Sequence, residues 1–224
     1  MITALVIVNF NAESYTVAMS QPAPAVASAE HPLPDDDIIV LRPVTWADYQ
    51  RLLEIRGDEP APRLTYLEGV LELMTPSQPH EFIKSMIGRL VEGYCMEKGI
   101  GITPYGSWTH ESKESDRGIE PDECYVIGDN PEPQRSDLAI EVEWTRGAIN
   151  KLEVYRQLQV KEVWVWRKKR IEIFVLRDAH YTPSTTSTLL PGIDLDLLVR
   201  FIDMRPMTRA VSEYRAALKG SARA

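Results

Sequence analysis

The sequence predicts an α/β fold in which a curved, mixed β-sheet is flanked by helices. Segments with helical spacing of apolar residues alternate along the chain with short strand-like segments, which fits neither an all-helical nor an all-β fold. The chain has 224 residues, enough to bury a full core as one domain with appended ends. We therefore expect one principal domain.

The two ends of the chain differ from its middle in composition. Residues 1–41 are rich in Ala, Pro and Ser, with prolines spaced so that no helix can run through, and we expect a partly extended or flexible N-terminal extension that pairs one early strand. From residue 200 onward six basic residues stand against two acidic ones. We expect a core domain over residues 42–199 and a basic helical tail over residues 200–224.

The first elements of the core have clear local signals. Thr45 and Asp48 have the spacing of a helix N-cap pair, and Gly57 is typical of a helix end. Two strand-like runs then span Arg63–Met74 and meet at Glu68-Gly69, a dipeptide that favours a tight hairpin. The sequence thus predicts a helix followed by a β-hairpin.

The rest of the core continues the alternation. Apolar residues recur at helical spacing from Ser77 to Gly99, which predicts the main helix. The later predicted elements, in order, are strands at Ile102–Thr109, Cys124–Ile127 and Leu138–Trp144, a helix at Ala148–Leu158, and a hairpin of Glu162–Trp166 and Ile171–Leu176 turned by Lys168-Lys169.

Composition excludes several classes of protein. No stretch of eighteen apolar residues could span a bilayer, and no Lys or Arg precedes Arg42, so we expect a soluble protein with no membrane partner and no signal peptide. Two cysteines are too few for a disulfide scaffold or a four-ligand zinc site, and they favour the reducing cytoplasm. The net charge of -8 argues against non-specific coating of DNA, but it is compatible with an enzyme that binds phosphates locally.

The strand at Leu138–Trp144 carries acidic residues in an otherwise apolar run. Glu141 and Glu143 alternate with apolar neighbours and therefore share one face of the strand. An ionised carboxylate that is buried without a partner costs several kcal/mol, so a cation should lie close by. Mg²⁺ binds one or two protein carboxylates together with waters and phosphate oxygens, and it is the natural candidate.

Two further residues complete a possible catalytic group. Asp122, after Pro121, would supply a second carboxylate if its strand lies beside that of Glu141. Lys151 follows about ten residues after Glu141, near the start of a helix that could bring its ammonium group back over the metal. Taken singly, each residue has an ordinary structural explanation in a turn, a wet strand face or a solvated helix. Their combined order favours a nuclease site.

Several segments of the sequence, taken together, resemble a known protein family. The resembling segments are Tyr66–Met74, Pro76-Ser77, His80, Pro121-Asp122, Leu138–Val142, Lys151, Tyr155, Val160 and Glu162–Val165. In order and spacing they resemble the bacterial Uma family, described as candidate restriction endonucleases within the PD-(D/E)XK nuclease superfamily. The resemblance runs from about Thr45 to about Leu198. It implies a restriction-endonuclease-like core, dependence on a divalent metal, and catalytic roles for Asp122 and Glu141.

The sequence departs from the superfamily pattern at one important position. The usual Lys two residues after the Glu is replaced by Glu143, and the resemblance implies that Lys151 serves instead. The hairpin reads Glu68-Gly69 where relatives commonly have Asp-Gly, which keeps an acid and a glycine in the turn. The sequence also lacks the second acid often found before the helical Lys.

Supporting roles are open for several neighbouring residues. His80 could reach the mouth of the site or could simply help to cap a helix, and Glu81 could be a third metal ligand or a favourable charge in a first helical turn. Tyr155 lies on the same predicted helix as Lys151. The hairpin could bring Glu68 or Glu72 to the rim of the cleft, whereas the other histidines lack zinc-ligand spacing.

Together these features predict an endonuclease that hydrolyses DNA phosphodiester bonds. Its catalytic residues would be Asp122, Glu141 and Lys151, with Asp122 and Glu141 as ligands of Mg²⁺, for which Mn²⁺ could substitute. The alternative is a catalytically inactive protein of the same fold that acts as a nucleic-acid-associated or assembly module. A homodimer is compatible with cutting two strands, although no sequence feature marks an interface.

Overall fold

The computed structural model describes residues 6–8 and 33–221, so most of the predicted N-terminal extension and the last three residues of the tail lie outside it. The secondary-structure elements follow in chain order. They are β1 (Val6–Val8), β2 (Asp37–Leu41), α1 (Trp46–Arg56), β3 (Arg63–Leu67), β4 (Val70–Thr75), α2 (Gln78–Lys98), β5 (Ile102–Pro104), β6 (His110–Ser112), β7 (Arg117–Ile119), β8 (Glu123–Ile127), β9 (Leu138–Val142), α3 (Lys151–Gln157), β10 (Glu162–Arg167), β11 (Arg170–Arg177), β12 (His180–Ser184), α4 (Leu195–Ile202) and α5 (Met207–Ser221).

The strands form two six-stranded sheets, where the sequence predicted one. The first sheet has the order β1-β2-β4-β3-β7-β6, and the second has the order β12-β11-β10-β9-β8-β5. Each is mixed, because β1 runs parallel to β2 and β9 runs parallel to β10 while the other neighbours are antiparallel. The predicted α/β class is confirmed. The single sheet is corrected to two, because β6 and β7 pair with β3 and extend the first hairpin into a sheet of its own.

Local chemistry explains the first elements. The Thr45 side chain accepts a hydrogen bond from the Asp48 amide while the Asp48 carboxylate accepts one from the Thr45 amide, a reciprocal capping box that starts α1. Gly57 ends that helix. The β3–β4 turn places Glu68 and Gly69 at positive φ, as a two-residue hairpin turn requires. The predicted helix and hairpin are therefore both confirmed.

The second sheet lies at the centre of the molecule. Helix α2 covers one of its faces, packing against Ile140 and Val142 of β9 and Trp164 of β10. Helix α3 covers the other face, where Tyr155 packs with Ala139 in a separate cluster. Alternate residues of β9 therefore belong to different cores, and the face that bears Glu141 is the one toward α3.

The C-terminal segment packs on the main helix. Helix α4 crosses the boundary expected at residue 200, and α5 lies against α2, where Tyr214 is fully buried and Arg215 Nε lies 2.5 Å from Glu97 Oε1. Among the helices of residues 33–221, none has the length and apolar character needed to cross a bilayer.

Candidate active site

The two predicted carboxylates lie on neighbouring strands. Strands β8 and β9 are antiparallel, with Glu123 opposite Ile140. Extending this register by one position places Asp122 opposite Glu141. Directly opposed residues of an antiparallel pair project from the same face, with Cβ atoms about 5 Å apart. Asp122 and Glu141 therefore meet on the side of the sheet that α3 covers.

Helix α3 supplies two partners for Glu141. The Lys151 ammonium lies 2.6 Å from Oε2, and the Tyr155 hydroxyl donates a hydrogen bond to Oε1. These residues are one helical turn apart, so one face of α3 presents both groups to the same carboxylate. Glu141 is buried, whereas about a quarter of the Lys151 side chain, 26%, is exposed. The ammonium group therefore lies between the buried acid and solvent.

Burial and the neighbouring charges act in opposite directions on the pKa values of Glu141 and Lys151. Burial raises the pKa of Glu141, the Lys151 charge lowers it and the Asp122 charge raises it again, leaving that pKa above its ordinary value. Burial would lower the pKa of Lys151, but Glu141 and Asp122 outweigh it and leave that pKa above its usual range. Lys151 is therefore a cation at neutral pH. The pKa of Glu141 is raised chiefly because its carboxylate is buried, which outweighs the effect of the Lys151 charge.

Asp122 is surrounded by donors. Arg63 Nη1 donates to Oδ1, the Val142 amide donates to Oδ2 at 2.7 Å, and His80 Nε2 lies 3.1 Å from Oδ2. Its side chain has no exposed surface. Burial would raise the pKa of Asp122, but the hydrogen bond and charge of His80, with the charges of Lys151 and Arg63, hold it well below its ordinary value. Asp122 is thus a fixed anion.

His80 bridges two acids. Its Nδ1 lies 3.0 Å from Asp36 Oδ2, while its Nε2 faces Asp122. Burial lowers the pKa of His80, but hydrogen bonds to Asp122 and Asp36 outweigh it and raise the pKa to about 9. The ring is therefore protonated at neutral pH and donates from both nitrogens. Asp36 in turn accepts from the Ser77 amide at 2.8 Å, just before α2.

A cavity of about 730 Å³ opens beside this group. Its acidic lining includes Asp36, Glu72, Glu141 and Glu143, and its basic lining includes Lys151 together with Arg146, Arg167 and Lys168. Asp122 lies behind this surface. The cavity can therefore admit a ligand that touches Glu141 and Lys151 while Asp122 acts from the wall.

Glu72 holds one wall of the cavity in place. Its Oε2 accepts hydrogen bonds from the amides of Ala148 at 2.6 Å and Ile149 at 3.3 Å, in the loop between β9 and α3. A Cβ atom at Gly147 would lie 2.6 Å from Glu72 Oε1, so a larger residue at this position would displace the carboxylate. The buried carboxylate thereby fixes the segment that leads into Lys151.

Two other predicted acids, Glu81 and Glu143, contact basic residues near the site. Glu81 contacts Arg63 Nη2 at 2.6 Å and Lys84 at 2.7 Å, which links it to Asp122 through the guanidinium group. Glu143 lines the cavity and lies 3.7 Å from Arg167.

Glu68 does not line the cavity, although strand β4 of the same hairpin contributes Glu72 to the lining. The Glu68 side chain is 65% exposed and forms an ion pair with Arg117 at 2.8 Å. It belongs to the two-residue turn, whose tip projects beyond strand β4. The hairpin therefore reaches the site through Glu72, and Glu68 is not brought together with the catalytic group.

Comparison with known proteins assigns the chain to a family. The family model described as "Uma2: Putative restriction endonuclease" matches residues 46–204, well over half of the chain. The chain belongs to the Uma2 family. The matched region contains Asp122, Glu141 and Lys151 and leaves out the N-terminal extension and all of α5. No curated protein matches the chain.

One solved structure is similar in outline. It is described as a putative nuclease belonging to DUF820 from Anabaena variabilis, with 12% identity over 77% of this chain and 99% of the other, and a TM-score of 0.40.

The donor set of this Uma2 chain is suited to a hard divalent cation. Within residues 33–221, no three His, Cys, Asp and Glu side chains form a ready-made metal cluster. Mg²⁺, however, needs only one or two protein carboxylates when waters and phosphate oxygens complete its shell. Glu141 is the carboxylate of the pair that lines the cavity, with Asp122 opposite it on the neighbouring strand, and these two residues would be the ones to hold such an ion.

Sequence reasoning missed two residues of this site. Arg63 and Asp36 are buried and contact Asp122 and His80 directly. Arg63 carries a weak signal, since a charged residue that opens an otherwise apolar strand implies a partner. Asp36 carries none, because it stands among three consecutive aspartates that resemble a solvated linker.

Proposed function

We propose that this protein is a Mg²⁺-dependent endonuclease that hydrolyses DNA phosphodiester bonds, with Mn²⁺ able to substitute. The observation that carries the proposal is the convergence of Glu141, Lys151 and Asp122 beside the cavity, in a chain whose family carries the description "Putative restriction endonuclease". Two acids and one cation around a solvent-accessible space are the groups that phosphodiester hydrolysis requires.

Each residue has a defined task in this proposal. Glu141 and Asp122 would hold the metal, which when bound supplies Lewis-acid activation of the phosphate and lowers the pKa of a bound water. Tyr155 orients Glu141 through its hydrogen bond. Arg63 and His80 fix the rotamer of Asp122 and keep it ionised.

Lys151 contributes a positive charge to the proposed site. The pKa of its ammonium group lies above its usual range, so it is a cation at neutral pH and not the base that removes a proton from water. Positioned donors and cations of this kind stabilise charge that develops on the transferring group. We assign to Lys151 the stabilisation of the scissile phosphate in the transition state.

One observation favours a second candidate function. Both oxygens of Asp122 already accept hydrogen bonds, and its side chain is fully buried. A protein in which Arg63 and His80 have permanently replaced the metal would keep the fold and bind nucleic acid without cleaving it. The two candidates differ in whether a divalent metal binds and supports turnover.

The test uses a pair of isosteric variants on adjacent strands. Glu141→Gln removes the charge at the site, whereas Glu123→Gln removes a half-buried carboxylate whose side chain lies toward Gly88 of α2. We expect the wild type and Glu123→Gln to cleave duplex DNA with Mg²⁺ or Mn²⁺ and to gain thermal stability from Mn²⁺, because a ligand stabilises the state that binds it. Glu141→Gln should lose both effects. A wild type that binds DNA but shows neither effect would establish the inactive alternative.

We further propose that the protein works in the cytoplasm, as a homodimer when it cuts both strands. The cytoplasmic assignment is supported by Cys95 and Cys124, which are free and buried. The dimer is supported only by the need for two sites in a double-strand cut.

A further inference from the structure

We propose that the tip of the β10–β11 hairpin binds the phosphate backbone of duplex DNA next to the candidate active site. This basic tip consists of Arg167, Lys168, Lys169 and Arg170. The inference rests on the proposed function for the identity of the polymer, and it adds a substrate-binding element outside the catalytic group.

The basic tip contrasts with the acidity of the whole chain. Four consecutive basic residues stand in a protein of net charge -8. Arg167 is shared between Glu143 at 3.7 Å and Glu172 at 3.4 Å, and Lys169 has one distant, exposed partner at 4.0 Å. Within residues 33–221, Lys168 and Arg170 have no acidic partner inside 4.0 Å. Much of the positive charge is therefore available to an external anion.

The backbone of the tip is unfavourable for lysine. Lys168 and Lys169 have φ values of 48° and 62°, the left-handed pair that a two-residue hairpin turn needs. This region costs most L-residues roughly 1 kcal/mol each, and Asn-Gly is the usual solution. The turn geometry therefore does not require lysine at either position, and both residues can be replaced by Asn-Gly without loss of the hairpin.

The position of the tip relates it to the catalytic group. Strands β9 and β10 are parallel, with Glu141 opposite Val165, so the carboxyl ends of both strands lie at the same edge of the sheet. Lys168 follows Val165 by three residues, or about 10 Å along an extended strand. Arg167 and Lys168 line the same cavity as Glu141.

This separation is small on the scale of a DNA backbone. Phosphates of one strand advance by about 3.4 Å along the helix axis and also wind around it, so the tip lies within the first few nucleotides of a scissile phosphate held at Glu141. Arg146, which is exposed and lines the cavity from the loop after β9, adds a further cation on the same side. Lysines bind phosphate as point charges and read no base, so the contact is independent of sequence.

The experiment replaces the two turn lysines by the dipeptide that the turn prefers. Lys168→Asn with Lys169→Gly removes two charges while relieving the left-handed strain, so the melting temperature should be unchanged or higher. The matched control is Asp178→Asn with Ala179→Gly in the β11–β12 turn, whose φ values of 48° and 62° are the same. Binding to a fluorescent duplex is measured in EDTA at several salt concentrations, which separates binding from cleavage.

We expect the tip variant to bind duplex DNA more weakly, with a salt dependence of log K shallower by about 1.8, since each phosphate contact contributes roughly 0.9. The control should keep the wild-type slope. An unchanged slope in the tip variant, equal loss in the control, no binding by the wild type, or a preference for RNA would overturn the inference. Binding that depends on the tip, without metal-dependent cleavage, would sustain it while refuting the proposed function.

Discussion

Replacing Lys151 by methionine tests the role of its positive charge beside Glu141. Lys151→Met keeps the length and the apolar stem of the side chain but removes the ammonium group that lies 2.6 Å from Glu141 Oε2. The buried carboxylate then retains only the Tyr155 hydroxyl as a direct donor. The pKa of Glu141, already above its ordinary value, should rise further because the charge that lowers it is gone.

The size of the stability loss follows from burial. Removing one member of a fully buried ion pair costs about 3–5 kcal/mol. Because 26% of the Lys151 side chain is exposed and Tyr155 still donates, we expect about 2 kcal/mol at pH 8. In the metal-free folded variant Glu141 keeps its proton to a higher pH than in the unfolded chain, which releases it near the ordinary glutamate pKa of 4.5. The deficit should therefore be small below pH 4.5 and grow with pH.

Urea unfolding from pH 4 to pH 8 measures this deficit, with cleavage assayed separately under Mg²⁺ and Mn²⁺. We expect Mn²⁺ binding to persist and cleavage to fall on the order of a hundredfold, the usual scale for one electrostatic stabiliser. The control is Lys161→Met, whose 67% exposed side chain pairs with Asp137 at 2.7 Å and should matter by less than about 1 kcal/mol. Turnover within a few-fold of wild type, or a deficit that does not depend on pH, would refute the role given to Lys151.

Two other variants probe the supporting network. His80→Asn should flatten the pH dependence of stability. The raised pKa of His80, about 9 against 6.5 for the free residue, gives the wild type stability that is full below pH 6.5 and lost through pH 9, and urea midpoints at pH 6 to 10 would measure it. Gly147→Ala should push the Glu72 carboxylate off the loop amides, accelerating their hydrogen exchange and reducing cleavage, whereas Gly220→Ala, which meets no atom within 4 Å, should change neither. Unaltered exchange in Gly147→Ala would show that Glu72 does not fix this loop.

The parts of the fold that the sequence predicted depend on local chemistry. The Thr45–Asp48 capping box, the Glu68-Gly69 turn and the helical spacing of α2 are set by residues within a few positions of one another. Strands β6 and β7 have three residues each and no apolar alternation, so they had no comparable signal. Their pairing with β3 is long-range, which is why the division into two sheets could not be predicted.

The same distinction applies to the site. Asp122, Glu141 and Lys151 were predicted because the strand of Glu141 is otherwise apolar and the three residues stand in a suggestive order. The contacts that hold Asp122 and His80 join residues far apart in the chain: 59 positions separate Arg63 from Asp122, and 44 separate Asp36 from His80. No periodicity or spacing encodes such pairs, so only the packing of the sheets reveals them.

Glu143 stands where the superfamily usually has a lysine, and the contacts at the end of strand β9 suit a glutamate. Residue 143 lies just beyond the end of β9, where its amide donates to the Trp166 carbonyl and its carboxylate faces Arg167. A lysine at position 143 would lose the ion pair with Arg167 and would place two positive charges side by side. In the proposed site the cation comes from Lys151 of helix α3, and Glu72 accepts a hydrogen bond from the loop that leads into that helix. The basic charge of the proposed site thus lies on helix α3, after a loop that hydrogen-bonds to the buried Glu72. The end of strand β9 instead carries Glu143, which contacts Arg167 at the base of the basic tip.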